Sequence, residues 1–231
     1  MIYIQDIQKS YSGTVVLDIP ELRLEKAVNF GLVGNNGAGK TTLFRLILDL
    51  IRADSGTIEI NDEDVAKSES WKQITCSFLD QGFLIDFLSP EEYFDFVGKV
   101  RGLSKDDISL YLTDMEEFFN GEIIGKKKLI RNLSMGNQQK IGIAAAMMGK
   151  PEIVVLDEPF NSLDPTTQIR LVKLIRKLQE TQQITFLISS HDISHITEVC
   201  ERIVVLHEGK IAQDITTTED TLEALKTYFA I

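Results

Sequence analysis

No apolar run in this chain of 231 residues approaches the roughly 18 residues needed to cross a bilayer, and the start, Met1-Ile2-Tyr3-Ile4-Gln5-Asp6, has no basic-then-apolar layout. A membrane span and a secretory leader are both excluded by that reading, and a cytoplasmic protein is expected. Cysteine is scarce: Cys76 and Cys200 form no C-x-x-C pair and each sits in an apolar run, so both read as small reduced core residues, not as disulfide or metal ligands. Positive charge is also short, with 24 Lys and Arg against 35 Asp and Glu, a net charge of -11. A general nucleic-acid binder, which needs clustered cations to hold phosphate backbones, is therefore not expected. Linkers, repeats and low-complexity tracts are missing too, which leaves one compact unit with an inserted subdomain.

What is present begins with Gly34-Asn35-Asn36-Gly37-Ala38-Gly39-Lys40-Thr41, which fits G-x-x-x-x-G-K-[ST] at every fixed position. The run Val28 to Val33 reads as a buried strand entering this loop, and Thr42 to Leu48 as a helix leaving it. Glycines let successive backbone N–H groups turn inward onto phosphate oxygens, and the helix start adds partial positive charge. In that setting Lys40 reaches the β- and γ-phosphates and the Thr41 hydroxyl is placed for Mg²⁺.

Short strand-like runs at Ile2 to Ile7, Val15 to Ile19, Val28 to Val33 and Thr57 to Ile60 imply a small antiparallel sheet beside the loop. Tyr11, placed just past the first strand in a turn-like stretch, reads either as a boundary-packing residue or as an exposed ring able to stack on a base. Trp71 reads as a core or rim anchor. A further buried strand, Ile74 to Leu79, ends at Asp80-Gln81-Gly82, where Gln81 is either a plain loop glutamine or one reaching into a ligand crevice.

The character then turns helical. Ser89-Pro90-Glu91-Glu92 caps a helix to about Val100, and Ser104-Lys105-Asp106-Asp107 caps a second, whose apolar face carries Ile108, Leu110, Tyr111, Leu112, Met115, Phe118 and Phe119. Residues 83 to 147 form this helical insert. The cluster Lys126-Lys127-Lys128 with Arg131 reads as a solvated loop. Ser134 then caps a helix ending near Gly149, a plain capped start that could also accept an anion beside Gly136.

Ile153 to Leu156 is continuously apolar, as a strand buried on both faces requires, and delivers Asp157 and Glu158 to the sheet edge. Beside a phosphate loop this pair suits Mg²⁺ holding, through Asp157, and polarisation of the attacking water, through Glu158. Asp164-Pro165 starts a helix whose Ile169, Val172, Leu174, Ile175 and Leu178 face inward. The next buried strand, Ile184 to Ile188, ends at Ser189-Ser190-His191-Asp192, so His191 emerges at the same edge, as a γ-phosphate donor or as an ordinary loop histidine. A hairpin over Arg202 to Ile215 and a short helix close the chain; His195 and His207 receive no role.

Taken in order, Tyr11, the loop Gly34 to Thr41, Gln81, the helical insert, Leu133-Ser134-x-Gly136, Leu156-Asp157-Glu158-Pro159, Ser162-Leu163-Asp164 and His191 make the chain resemble the ATP-binding subunit of ABC transporters over essentially its whole length. The resemblance implies an α/β fold: a P-loop NTPase core of the RecA type with an antiparallel β-subdomain (1–82 and 148–231) and an α-helical subdomain (83–147). It implies ATP and Mg²⁺ as cofactors. The nucleotide would be held by Tyr11, Gly34, Asn35, Asn36, Gly37, Ala38, Gly39, Lys40, Thr41, Thr42, Gln81 and Asp157, with Thr41, Gln81 and Asp157 around the metal. Catalysis would fall to Glu158, His191 and Lys40.

The resemblance also implies head-to-tail pairing with a second copy or a related ATPase subunit. Ser134, Gly136, Asn137 and Asp164 would then contact the nucleotide of the facing subunit. Function would be ATP-driven closure coupled to a separate membrane permease, which places the subunit at the inner face of the cell membrane. Two departures stand in the signature segment, where the usual L-S-G-G-Q becomes Leu133-Ser134-Met135-Gly136-Asn137; the phosphate loop has Asn35 where many relatives have proline. The Ser134-Met135-Gly136 form, the short helical insert and the absence of a C-terminal regulatory extension favour export over import. A permease contact is expected at Phe83 to Leu88, where five large apolar residues in six cannot all turn inward; the competing account is that they fill the core joining the two subdomains. The rival expectation is a soluble ATPase of the same type serving repair, translation or cofactor assembly.

Overall fold

The computed structural model describes residues 1–230. Two sheets and a set of helices share the chain. The first strands, β1 (Ile2–Tyr11), β2 (Thr14–Leu24), β4 (Ser55–Ile60) and β5 (Glu63–Asp64), form an antiparallel sheet in the order β2-β1-β4-β5. β2 is an edge strand, which is how Pro20, lacking an N–H for a ladder, fits inside it. The second sheet has the order β10-β9-β3-β8-β7-β6, with β3 (Phe30–Val33), β6 (Thr75–Phe78), β7 (Ile153–Leu156), β8 (Thr185–Ser190) and β9 (Arg202–His207) parallel. Only β10 (Lys210–Thr216) runs antiparallel, closing a hairpin with β9.

Three of the expected boundaries move. The strand before the phosphate loop is β3 and lies in the parallel sheet, not in the antiparallel one, because all four of its residues are buried and need cover on both faces. β1 continues through Tyr11, which pairs with Thr14 across a tight hairpin, so that ring ends a strand and does not follow one. The helix after the loop, α1 (Lys40–Ile47), starts two residues early, at Lys40.

The inner parallel strands divide their side chains between two cores, as a two-residue period demands. Ile153 and Val155 of β7 join Phe30, Leu43, Phe44, Leu187 and Val204 on the side of α1 and the antiparallel sheet. Val154 and Leu156 join Phe94, Phe119, Ile141, Phe186 and Ile188 on the helical side. Trp71, of the one-turn helix α2 (Trp71–Ile74), is buried in the first of these.

The insert runs through a short 3₁₀ turn at Gln81–Phe83, α3 (Pro90–Val100), α4 (Lys105–Asp114), α5 (Glu116–Phe119), a second 3₁₀ turn at Ile130–Asn132, and α6 (Met135–Met147). Ser89 and Ser104 form full capping boxes with Glu92 and Asp107, so both helix starts are satisfied by their own first turn. The second expected helix is broken at Met115 into α4 and α5; Ile108, Met115, Phe118 and Phe119 are buried, while Leu110, two positions and about 200° round α4 from Ile108, is 64% exposed. α6 is buried along most of its length and reaches the sheet closely: a Cβ on Gly142 would stand 2.0 Å from the Phe78 ring, so only glycine fits there. α7 (Pro165–Gln182), α8 (Ile193–Val199) and α9 (Thr221–Phe229) complete the fold. Ile169, expected inward, is exposed, since Leu171, Val172, Ile175 and Leu178 already supply the inner stripe of α7. Cys76 and Cys200 are buried free thiols, and burial pushes Cys76 up to about 11, so neither is a nucleophile at neutral pH.

Candidate functional site

The chain leaves β3 into a loop whose residues Asn35 to Thr42, together with Glu158, line a cavity of about 170 Å³. Gly39, at φ +107, is the N-cap of α1, a left-handed geometry that aims the free N–H groups of the first helical turn at this cavity. The loop cannot retreat from it. A Cβ on Gly39 would stand 3.0 Å from the Val16 carbonyl of β2, and one on Gly209, in the β9–β10 turn, would stand 2.5 Å from the same oxygen. Gly209 N–H also donates to the Ala38 carbonyl at 3.1 Å. Loop, β2 and hairpin turn are therefore stacked backbone to backbone, which suits a cradle that must hold its shape against a multivalent anion.

Lys40 is 6% exposed. Its Nζ donates to the Gly34 carbonyl at 2.7 Å and lies 3.3 Å from Glu158 Oε1. The other Glu158 oxygen is met by His191, with Nδ1 at 2.8 Å and the backbone N–H at 3.3 Å. Lys40, Glu158 and His191, far apart in sequence, thus touch in a row, because β7 and β8 are neighbouring parallel strands that end at the same level beside β3.

Asp157, 7% exposed, accepts from the Thr41 hydroxyl at 2.6 Å on Oδ2 and from the Ser189 hydroxyl on Oδ1. Burial raises its carboxyl above the ordinary value, and the two hydroxyls oppose that shift. A hydroxyl and a carboxylate in contact at the mouth of a phosphate cradle are hard oxygen donors of the sort Mg²⁺ takes alongside phosphate and water. Ser189 had no part in the sequence reading; it also accepts the Glu158 N–H at 2.9 Å and so fixes both acids at once. The signal available was a hydroxyl ending an apolar strand that must pair with β7.

Gln81 and Tyr11 are not among the residues lining the phosphate cavity. Gln81 Nε2 donates to Gln139 Oε1 at 2.7 Å, and Tyr11 is half exposed with Lys9 Nζ 5.4 Å from its ring centre. Ser134, Gly136 and Asn137 lie outside the cavity as well. Ser134 caps α6 by accepting Asn137 N–H at 3.3 Å, Gly136 rests against the Ser162 carbonyl, and Met135 is 62% exposed. Asp164 caps α7, accepting the Thr167 N–H at 3.1 Å and the Thr167 hydroxyl at 2.5 Å. Buried Gln139 is the other residue the sequence reading missed; it falls four residues before buried Ile143, and a polar residue in a buried stripe was the sign.

A family model described as ABC transporter matches residues 17–161. The chain is 34% identical over 216 residues to the bacitracin transport ATP-binding protein of Bacillus licheniformis, covering 91% of this chain and 68% of that protein. It is 32% identical over 212 residues to the tungstate uptake system ATP-binding protein of Peptoclostridium acidaminophilum, covering 92% and 97%. A solved ATP-binding subunit of an ABC transporter superposes with a TM-score of 0.85 at 25% identity, over 98% of this chain and 93% of that one. A dimeric bacterial ABC transporter cassette shares the fold, with a TM-score of 0.85 at 22% identity over 94% and 99%. The family match spans more than half of the chain, and it coincides with the cradle and the carboxylates just described: this chain belongs to the ABC transporter family, as an ATP-binding, ATP-hydrolysing subunit.

Proposed function

We propose that the chain pairs head to tail with a second copy or a related ATPase subunit, and that closure of the pair on two ATP molecules drives export through a separate membrane permease. One observation carries this reading. The cradle, Asp157, Glu158 and His191 converge on one sheet end, while the exposed start of α6 with Ser134, Gly136 and Asn137 stands outside their cavity. A capped helix start pointing at solvent suits an anion brought by another molecule.

In this reading Lys40 and the loop N–H groups hold the β- and γ-phosphates and Tyr11 stacks on the base. Thr41, Gln81 and Asp157 hold Mg²⁺. Among the described residues no cluster of three His, Cys, Asp or Glu could hold a metal, which suits a cation that takes most of its ligands from phosphate and water. When bound, the cation neutralises charge on the phosphates. Glu158 orients and polarises the attacking water, and His191 donates to the γ-phosphate. Asp164, although it caps α7, lies on the loop that meets the facing subunit. Residues 83–147 form the α-helical subdomain and 1–82 with 148–231 the core, and the subunit sits at the inner face of the cell membrane. Export is supported by the Ser134-Met135-Gly136 form and the short insert.

The permease contact is at Phe83 to Leu88, where Phe83 and Phe87 are 54% and 64% exposed while Leu84 is buried. Co-expressed with its permease, Phe83→Ser/Phe87→Ser should keep its melting temperature and ATP binding and lose co-purification. A large drop in melting temperature would instead assign both rings to the core. Cells lacking the subunit should retain more of the transported compound in metabolite profiles; a lower level would reverse the direction.

A further inference from the structure

The hydrogen bond between Gln81 and Gln139 has a direction, and the main chain behind it sets that direction. Gln139, 3% exposed on α6, has its Nε2 at 3.3 Å from both the Glu158 and the Pro159 carbonyl oxygens. Carbonyls only accept, so the amide nitrogen of Gln139 faces them and its oxygen faces away. That oxygen is 2.7 Å from the Gln81 side chain. An acceptor there requires Gln81 to present its own nitrogen, which turns the Gln81 oxygen away from Gln139.

The two orientations of a glutamine amide differ by a half-turn and are nearly equal in shape, so an unguided Gln81 would offer a cation nitrogen as readily as oxygen. Nitrogen in an amide carries protons and no usable lone pair, and repels a cation. We infer that Gln139 is a positioning residue for the cation, locking the Gln81 amide with its oxygen free to ligate Mg²⁺. The inference rests on the reading of Gln81 as a metal ligand. The reference points of the lock are the carbonyls directly after Asp157, so the two proposed ligands, Gln81 at the edge of the helical insert and Asp157 just past the end of β7, are registered to each other through one buried side chain.

The test uses Mn²⁺ in place of Mg²⁺, titrated by EPR into the full chain bound to a non-hydrolysable ATP analogue. Gln139→Met keeps length and burial and removes both amide functions. Its Mn²⁺ affinity should fall at least about 2-fold from the freed amide orientation alone, and up to about 10-fold with the outer-shell hydrogen bond lost as well. Binding of the analogue in EDTA should be unchanged. In a Gln81→Glu background the same Gln139→Met change should cost nothing, because a carboxylate offers oxygen in either orientation. An equal loss in that background would show that Gln139 acts through folding and would overturn the inference. Unchanged Mn²⁺ affinity in Gln139→Met, with a loss in Gln81→Ala, would remove the positioning role and leave Gln81 as a ligand. No loss in Gln81→Ala would sink the ligand reading itself. If Gln139→Met proves unfolded by thermal melting, Gln139→Leu, of similar volume and polarity, carries the same comparison.

Discussion

The phosphate-loop end and the start of α6 hold nearly all the proposed ATP contacts, yet they are built in opposite ways. At the first, Lys40 and Asp157 are buried and every charge has a partner within the chain: Lys40 with Glu158, Glu158 with His191, Asp157 with two hydroxyls. At the second, Ser134 and Met135 are exposed and the Ser134 hydroxyl serves only its own helix. A buried charge network is costly to assemble and must be organised by the fold before ligand arrives. An exposed cap costs little and gains its use from a second surface. In the proposed head-to-tail pair, the difference would let one chain supply half of each of two sites.

The largest effects should come from breaking the buried half. Lys40→Ala is expected to weaken ATP by about 100-fold or more, since it deletes the charge-assisted contact to phosphate, measured by calorimetry. Glu158→Gln should bind ATP normally, lose roughly 100-fold or more in phosphate release, and run as an ATP-dependent dimer on gel filtration. Full turnover in Glu158→Gln would remove the carboxylate from its role.

Asp157→Asn tests what that burial costs. Asp157 is held above its ordinary value by desolvation, so at neutral pH its charge opposes folding, and the variant in the absence of nucleotide should melt a few degrees higher. The variant's advantage is full above the folded value and shrinks as pH falls through it towards the ordinary 3.8. Melting curves between neutral and acid pH check both sign and window; an advantage that grew on acidification would mean the carboxylate is stabilising.

The smallest effect belongs to the exposed half. Met135 packs on little, so Met135→Gly should leave monomer ATP affinity unchanged and alter only ATP-dependent dimerisation in the Glu158→Gln background. An equal shift in monomer affinity would mean that residue 135 works through its own helix.

These two halves were also unequally legible from residues alone. Glycine spacing, capping serines and the apolar runs of β7 and β8 are local codes, and they placed the cradle, the helices of the insert and the acids at the sheet end. Sheet membership is not local: β3 reads like any short buried strand until β8 and β9 close on either side of it. Leu110 does not belong on the inner face because it stands two positions from Ile108 on the same helix, and residues two apart point to opposite sides. Gln139 and Ser189 carry no motif of their own. Their roles arise from hydrogen bonds across 19 and 32 positions, which no window along the chain contains.

The stacking of the phosphate loop on β2 and the β9–β10 turn bears on where this protein can be modified. Hairpin turns on a sheet edge are the customary choice for an affinity tag, a fluorophore or a split point, and Glu208-Gly209 looks like one. Here that turn is the back wall of the nucleotide cradle, held to Ala38 and pressed on Val16. An insertion there would be felt by ATP before it was felt by the fold. The exposed stretch Lys126 to Lys128, in the helical insert, lines no part of the cradle.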